Sequence, residues 1–345
     1  MRPSVAIVYN KPKPSRYEAM GEQVAVDSIL SVVTAVRRAL VQLGYPVLRV
    51  PLTPPLERAR EKLRQVEAGL VFNLFEGFDG RPETEAAVAE FFSEFGLKHT
   101  GCPAAALLLA LDKPRAKTLM EAGGVRTPRY QLLTRESLRA FELRLPCIVK
   151  PCAEDASHGL TEESVVNDRA SLEVQVGRVC DHYGGTALVE EYVDGREFNV
   201  TVLGSTDLVL LPVAEMTYSL PPGMPRILTF AAKWVSESSY YKCTKAVCPT
   251  DIEPELRERI GQAAMTVYRL MGCSGYARVD FRMDGEGQLH VLELNPNPDI
   301  SPGMGAARQA HVAGMTYRDF IERIVLFALG SRDHGIEHQA DDQRG

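Results

Sequence analysis

Arg278, Asp280, Glu293 and Asn295 lie on two alternating runs, YARVDF and LHVLELN, joined by the turn-rich segment MDGEGQ. Residues two apart in a strand face the same side. Arg278 and Asp280 therefore share one face of the first run, and Leu289, Val291, Glu293 and Asn295 one face of the second. The segment Asp284, Gly285, Glu286, Gly287 predicts a hairpin. With Met283 paired to Gln288, Arg278 falls opposite Glu293 and Asp280 opposite Val291, so Asp280, Glu293 and Asn295 converge beside an arginine. Two carboxylates and an amide carbonyl are hard oxygen ligands, the set Mg²⁺ uses when nucleotide phosphates complete its coordination. The rival reading is an exposed hairpin face carrying weak surface ion pairs. The exit LNPNP favours the first, because Pro296 and Pro298 stop the ladder immediately after the polar pair.

A second set is cationic. Lys150 ends the apolar run LPCIVK before a polar loop, and Lys113 opens a helical stretch in LDKPRAK, where Asp112 suits a cap and Pro114 a first turn. Lysine is a compact charge suited to phosphate, though each also reads as a snorkelling surface residue. The loop CAEDASHGL is poorer in glycine than a phosphate cradle, the pattern GxxxxGK[ST] is absent, and His158 reads as a pocket group or, the favoured reading, a loop histidine. The stretch VEEYVDGREF reads as two strands around an Asp194-Gly195 turn, able to set backbone groups against a nucleobase and Glu197 against a ribose.

The elements that must hold these residues read as follows. At 345 residues, with 45% hydrophobic and 24% charged side chains, the chain predicts two or three packed domains. SVAIVY, PVLRV and GLVFNLF read as strands alternating with helices at residues 23–43 and 83–95, which implies a parallel α/β sheet with ligand loops after Asn10 and across residues 73–80. Residues 217–249 read as a long irregular segment before a helix at 253–271. Residues 331–345 have little to bury and are expected to fray. No stretch approaches the ~18–20 apolar residues of a membrane span, and the first ten residues lack the pattern of an export signal. Seven scattered cysteines without a CxxC pair fit a reducing cytoplasm, and a net charge of −6 argues against nucleic acid as the main partner. Small-molecule substrates are expected.

In order, LALDKPRAKTLMEAGGVRTP, LPCIVKPCAEDASHG, LVEEYVDGREFNVTVLG, FAAKWVSESSYYKCTKAVCP, MGCSGYARVDFRMDGEGQLHVLELNPNPDISPG and AARQAHVAGMTYRDFI resemble the ATP-grasp superfamily, and within it the D-alanine:D-alanine ligase branch. The resemblance implies a three-domain ATP-grasp fold, α/β and α+β, with a parallel α/β domain at 1–102, a small α+β domain at 103–192, a large domain at 193–330 and a tail at 331–345. It implies phosphorylation of a carboxylate by ATP and attack of an amine on the acylphosphate, with two Mg²⁺ ions, replaceable by Mn²⁺. By the same resemblance Lys113 and Lys150 bind ATP phosphates, Glu190, Glu191, Tyr192 and Val193 form the adenine hinge, and Glu197 holds ribose. Asp280, Glu293 and Asn295 are metal ligands. Arg278, the lid lysine Lys233 and Ser157 serve catalysis. Dimers are common in that family, so a homodimer is the assembly the resemblance allows.

Departures gather on the amino-acid side. The family's glycine-rich first loop is replaced by VYNKPKPSRYEAMGEQ, and HGxxGEDG by NLFEGFDGRPETE, where Asn73, Glu76 and Glu83 are candidates for related work, the first two as substrate residues. EGSSxG becomes EDASHG, with Ala156 at a substrate-side serine. The family's TxPGMT is replaced after Asn295 by a segment in which Asp299 and Ser301 are candidates, Ser301 falling on the serine that binds the second substrate's carboxylate. The expected function is thus an ATP-dependent carboxylate–amine ligase with an altered pocket; alternatives are authentic D-alanyl-D-alanine synthesis, a carboxylate kinase and a non-catalytic ATP-binding regulator.

Overall fold

The computed structural model describes residues 2–11, 29–154 and 157–330. Residues 23–28, the tail from 331 and Ala156 lie outside them. Strands β1 (Val5–Asn10), β2 (Val47–Leu52) and β3 (Leu70–Leu74) form a parallel sheet in the order β2-β1-β3, with helices α1 (Ile29–Gln42), α2 (Leu56–Arg64) and α3 (Glu83–Glu94) beside it. Every residue of β1 is buried, as a parallel strand covered on both faces requires. Val5, Ile7 and Tyr9 pack toward α1, while Ala6 and Val8 pack toward Leu63, Val88 and Phe92 of α2 and α3. The sheet ends at Asn10 and Leu74, which places the following loops along one edge.

Helices α4 (Ala104–Leu111) and α5 (Lys113–Ala122) are separated by Asp112, whose carboxylate accepts from the Arg115 N–H at 3.1 Å, with Pro114 in the first turn. Strands β4 (Tyr130–Leu133), β5 (Cys147–Pro151) and β6 (Val165–Val166), helix α6 (Arg169–His182) and strand β7 (Ala187–Glu191) form an antiparallel sheet in the order β4-β7-β5-β6, with α6 on one face.

The remaining chain supplies β8 (Arg196–Gly204), β9 (Val209–Leu210), β10 (Ala214–Tyr218), α7 (Phe230–Trp234), α8 (Ser239–Cys243), β11 (Thr244–Val247), α9 (Pro254–Leu270), β12 (Gly275–Met283), β13 (Leu289–Pro296), α10 (Gly305–Val312) and α11 (Tyr317–Leu329). Its antiparallel sheet runs β11-β10-β8-β12-β13, with β9 on β8. Ala106, Ala116 and Met120 of α4 and α5 share this sheet's core with α9. Phe320, Ile321, Ile324 and Val325 of α11 return to the core of α1 and β1, so the described chain closes on its first unit.

Three local expectations are corrected. β7 and β8 are not a hairpin: they belong to different sheets, and Asp194 and Gly195 form the crossing between them. Neither has positive φ; glycine is required at 195 because an added Cβ would lie 1.8 Å from the Met283 carbonyl oxygen. Residues 217–249 are only partly irregular: β11 pairs with β10 (Thr244 with Tyr218) and α7 and α8 form between them, while residues 219–229 carry no helix or strand. The β12–β13 register also differs. Phe281 pairs with Val291, Asp280 with Glu293 and Arg278 with Asn295, with a bulge at Leu292.

Candidate active site

The bulge gathers the polar strand end. Ahead of it Val291 faces the core beside Phe281, and beyond it Leu294 occupies that core too. The extra residue re-aims Glu293 and Asn295 to the opposite face, where Asp280 and Arg278 point. Asn295 Nδ2 donates to Asp280 Oδ2 at 3.0 Å and to Glu293 Oε1 at 3.3 Å. Arg278 grips both Asp280 oxygens, through Nε at 2.7 Å and Nη2 at 2.8 Å. Burial, with the charges of Glu293 and Glu197, outweighs Arg278 and pushes the Asp280 carboxyl up. Burial also penalises the Glu293 carboxylate, but Lys113, Lys150, Lys233 and Arg278 together hold its pKa below the usual value.

Among the described residues no three His, Cys, Asp or Glu side chains assemble a metal centre. Asp280, Glu293 and Asn295 nevertheless fit a hard cation, since Asn295 lies within hydrogen-bond distance of both carboxylates and a half-turn of its amide presents the oxygen in place of the nitrogen. Two carboxylates and an amide are too few for an octahedral ion, so its other ligands must be oxygens of phosphate or water.

Those carboxylates face a cavity between the two antiparallel sheets. Lys113, Lys150, Ser157, Glu190, Glu191, Tyr192, Val193, Glu197, Lys233, Asp280 and Glu293 all line it. Lys113 reaches the Glu154 carbonyl, and Lys150 is 2.6 Å from Glu190 Oε2. Glu190 Oε1 lies 2.7 Å from Lys117 Nζ, making a buried Lys-Glu-Lys triad. Lys117 Nζ and Glu190 Oε2 meet their partners off the hydrogen-bond angle, so these are ion pairs first. Burial opposes its charge, yet the two lysines pull the Glu190 carboxyl down to about 2. Burial lowers Lys117, whereas Glu190 and Glu293 outweigh burial and raise Lys150.

The segment 219–234, which ends in the helix carrying Lys233 and is the expected lid, is docked on this cavity. Ser157, at φ 63°, donates its hydroxyl to the Leu228 carbonyl at 2.9 Å, and the Phe230 N–H reaches the Leu160 carbonyl at 3.2 Å. Thr229 caps α7, which places Lys233 toward both cavities. His158 is a pocket residue rather than a loop histidine, being 4% exposed, packed on the Phe230 ring and in contact with both cavities.

An adjoining cleft of about 930 Å³ lies between the parallel sheet's loop edge and the central sheet, large enough for small-molecule substrates. Asn73, Glu76, Arg278, Asn295, Asp299 and Ser301 line it. Asn73 is buried and structural in its hydrogen bonds, its Oδ1 accepting from the Phe75 N–H at 3.1 Å, and the Glu76 N–H is fixed by Asn10 Oδ1 at 3.2 Å. Ser301 donates both its N–H, at 2.8 Å, and its hydroxyl, at 2.6 Å, to Asp299 Oδ1. His158, Glu197, Leu228, Lys233 and Asp280 border both cavities, which meet there.

A family model described as D-ala D-ala ligase C-terminus matches residues 119–326. The chain belongs to the D-alanine:D-alanine ligase family. It is accordingly an ATP-dependent ligase that forms C–N bonds. A D-alanine--D-alanine ligase of Sinorhizobium medicae is 32% identical over 302 residues, covering 86% of this chain and 91% of that protein. An uncharacterized protein of Sinorhizobium fredii is 35% identical over 258 residues, covering 75% of this chain and 74% of its own length. The fold matches the D-Ala:D-Ser ligase of Enterococcus faecalis at a TM-score of 0.74 and 20% identity, over 95% of this chain and all of that one. It also matches the D-alanine--D-alanine ligase of Bacillus anthracis complexed with ATP, at a TM-score of 0.72 and 19% identity, over 95% and 97% of the two chains. No described helix is long and apolar enough to cross a membrane.

Within this ligase-family site, sequence reasoning missed Lys117, Tyr218 and Arg282. Lys117 stands one helical turn after Lys113, a spacing that puts both on one face, but its partner Glu190 comes from a distant strand. Arg282 continues the alternation of Arg278 and Asp280, and that signal was present. Tyr218 ends β10; burial, then the Glu197 charge, pushes its phenol well up, so it stays a hydroxyl donor.

Proposed function

We propose that this ligase uses ATP and Mg²⁺ to activate the carboxylate of an amino acid or a close relative, and couples it to an amine that differs from the family's D-alanine. The carrying observation is the junction of the two cavities, where Lys233 and Asp280 border a lysine-lined nucleotide cavity on one side and the Arg278 cleft on the other. Lys113 and Lys150 hold the nucleotide phosphates, the backbone of Glu190 to Val193 faces the base, and Glu197 takes the sugar. Asp280, Glu293 and Asn295 would hold two Mg²⁺ ions, or Mn²⁺, and these would neutralise charge on the phosphoryl group in transfer.

A carboxylate oxygen of the first substrate attacks the γ-phosphorus, and the bond to the ADP oxygen breaks. The amine nitrogen then attacks the acyl carbon, phosphate leaves with the C–O bond's electron pair, and the nitrogen loses its proton. Arg278, on the cleft side, stabilises the negative charge that grows on the acyl oxygen. Lys233 and Ser157 keep the lid segment over the phosphates and exclude water, which would otherwise hydrolyse the acylphosphate. Asn73 and Glu76 bound the first substrate, Asp299 and Ser301 the second. Ser301 spends its hydroxyl on Asp299, an acid where an amino-acid carboxylate would otherwise be received, and this favours an altered acceptor over D-alanyl-D-alanine synthesis. We also infer unit boundaries near 102/103 and 192/193, supported by β7 and β8 lying in separate sheets, and a cytoplasmic setting that keeps the cysteines reduced.

The test is ATP-dependent phosphate release against pooled D- and L-amino acids and amines, with mass spectrometry of the products. An amide product other than the D-alanine dipeptide supports the proposal. Dominant D-alanyl-D-alanine refutes the altered acceptor, and nucleotide binding without phosphate release in any pool refutes the catalytic reading.

A further inference from the structure

Arg282 is 3% exposed and carries more hydrogen bonds than any surface pair would justify. Its Nε and Nη2 donate to Glu197 Oε2 at 3.1 and 2.6 Å, and its Nη1 donates to the Val193 carbonyl at 2.8 Å. Nη2 also donates to the carbonyl of Arg226, in the lid segment before α7. The guanidinium carbon lies 5.2 Å from the Tyr192 ring centroid. The Tyr218 hydroxyl adds a further donor to the same Glu197 oxygen, at 2.8 Å. Glu197 Oε2 is thereby saturated, and among the described residues Oε1 has no hydrogen-bond partner.

A carboxylate in this state is an unusual recognition group. Its charge is already compensated by a buried guanidinium, which removes most of its pull on cations. Its one remaining oxygen is held in place by three donors on the other, which suits a neutral hydroxyl whose position must be read. The planar fork of arginine is required, because lysine cannot reach Glu197, Val193 and Arg226 at once.

We propose that Arg282 and Tyr218 are positioning residues that fix Glu197 as a reader of nucleotide sugar hydroxyls, and that Arg282 ties this reader to the hinge and the lid segment. This rests on the nucleotide assignment of the cavity given above. Neither residue touches the nucleotide on this account; both act through Glu197. The expected consequence is selectivity for the ribose form of the nucleotide that disappears when the support is removed, even though Glu197 itself remains.

The test is Mg²⁺-dependent binding of ATP, 2′-deoxy-ATP and 3′-deoxy-ATP to the full chain by calorimetry, which needs no knowledge of the amino-acid substrate. The wild type is expected to bind ATP about tenfold tighter than at least one deoxy analogue, the value of one charge-assisted hydrogen bond. Arg282→Met is expected to bind all three nucleotides within about twofold of one another, and Arg282→Lys to recover only part of the preference. Tyr218→Phe, which removes one hydroxyl, is expected to cut the preference about threefold and serves as the decisive variant should Arg282→Met fail to fold. An unchanged ATP preference in folded Arg282→Met, or in Tyr218→Phe if that variant alone folds, overturns the proposal. So does a wild type that binds the three nucleotides equally. A wild type that binds none of them overturns instead the nucleotide reading on which the proposal rests.

Discussion

Replacing Lys117 by methionine is the sharpest probe of how the lysine-lined cavity is built. Lys117 and Glu190 are 2% and 1% exposed, and Glu190 stands 2.7 Å from Lys117 and 2.6 Å from Lys150. At an effective dielectric of about 20, each contact represents about 6 kcal/mol of gross attraction. Withdrawing three ions from water costs several kcal/mol apiece, so the intact triad contributes little net stability. Methionine keeps the volume but withdraws one attraction and leaves Glu190 buried with half its compensation, a change expected to cost about 3–5 kcal/mol. Protonating Glu190 addresses the same cluster: a carboxyl held at about 2 instead of 4.5 corresponds to about 3 kcal/mol. Because its folded pKa is depressed, that contribution is present above about pH 4.5 and fades as pH falls toward 2. Thermal unfolding by circular dichroism is expected to show Lys117→Met lowered by roughly 10 °C at pH 7, with the gap to wild type narrowing through the acid range. Glu190→Gln, which strands Lys117 and leaves Lys150 with only the charge of Glu293, is expected to destabilise as well, and the double variant to lose less than the two singles together. A Lys117→Met protein within 1 °C of wild type, or strictly additive single changes, would refute the triad as an energetic unit.

Three further outcomes follow from other parts of the molecule. Lys233→Ala is expected to unfold at the wild-type temperature yet lose at least about 100-fold in turnover; unchanged phosphate release would remove Lys233 from the mechanism. Burial pushes the Cys147 and Cys152 thiols up to about 12 and about 11, so at pH 8 they are almost wholly protonated and weakly nucleophilic. Iodoacetamide followed by mass spectrometry is expected to leave both unmodified with activity intact, and rapid inactivation through Cys152 would contradict the proposed mechanism, in which no cysteine takes part. Gly195→Ala must displace the Met283 carbonyl, and a destabilisation of about 1–3 kcal/mol or more is expected in urea unfolding; a neutral result would mean that the crossing between the sheets has slack.

The residues most legible without a structure were those whose neighbours lie close in the chain or obey a simple period. Asp112 and Pro114 announce the start of α5, the continuous apolar run of β1 announces a covered parallel strand, and the two-residue alternation of β12 puts Arg278 and Asp280 on one face. The ordered motifs from Lys113 to Asn295 brought together residues that the fold places around two adjoining cavities. Local pattern failed where an outcome depended on a partner far away. The Asp194-Gly195 pair looks like a hairpin turn, yet each flanking strand finds better partners in a different sheet. The expected register of β12 and β13 was displaced by the Leu292 bulge, because burying both Val291 and Leu294 outweighs unbroken pairing.

By itself, then, the amino-acid order carried the resemblance to the ligase family. Residue type with strand periodicity also put two carboxylates, an amide and an arginine together as candidate ligands. The tertiary structure decided what those side chains spend their bonds on. It gave Glu190 to two lysines, and one oxygen of Glu197 to Arg282 and Tyr218. Such choices arise only when elements distant in the chain exclude water from the same few ångströms. There a charge must take the nearest partner, whatever its distance along the chain.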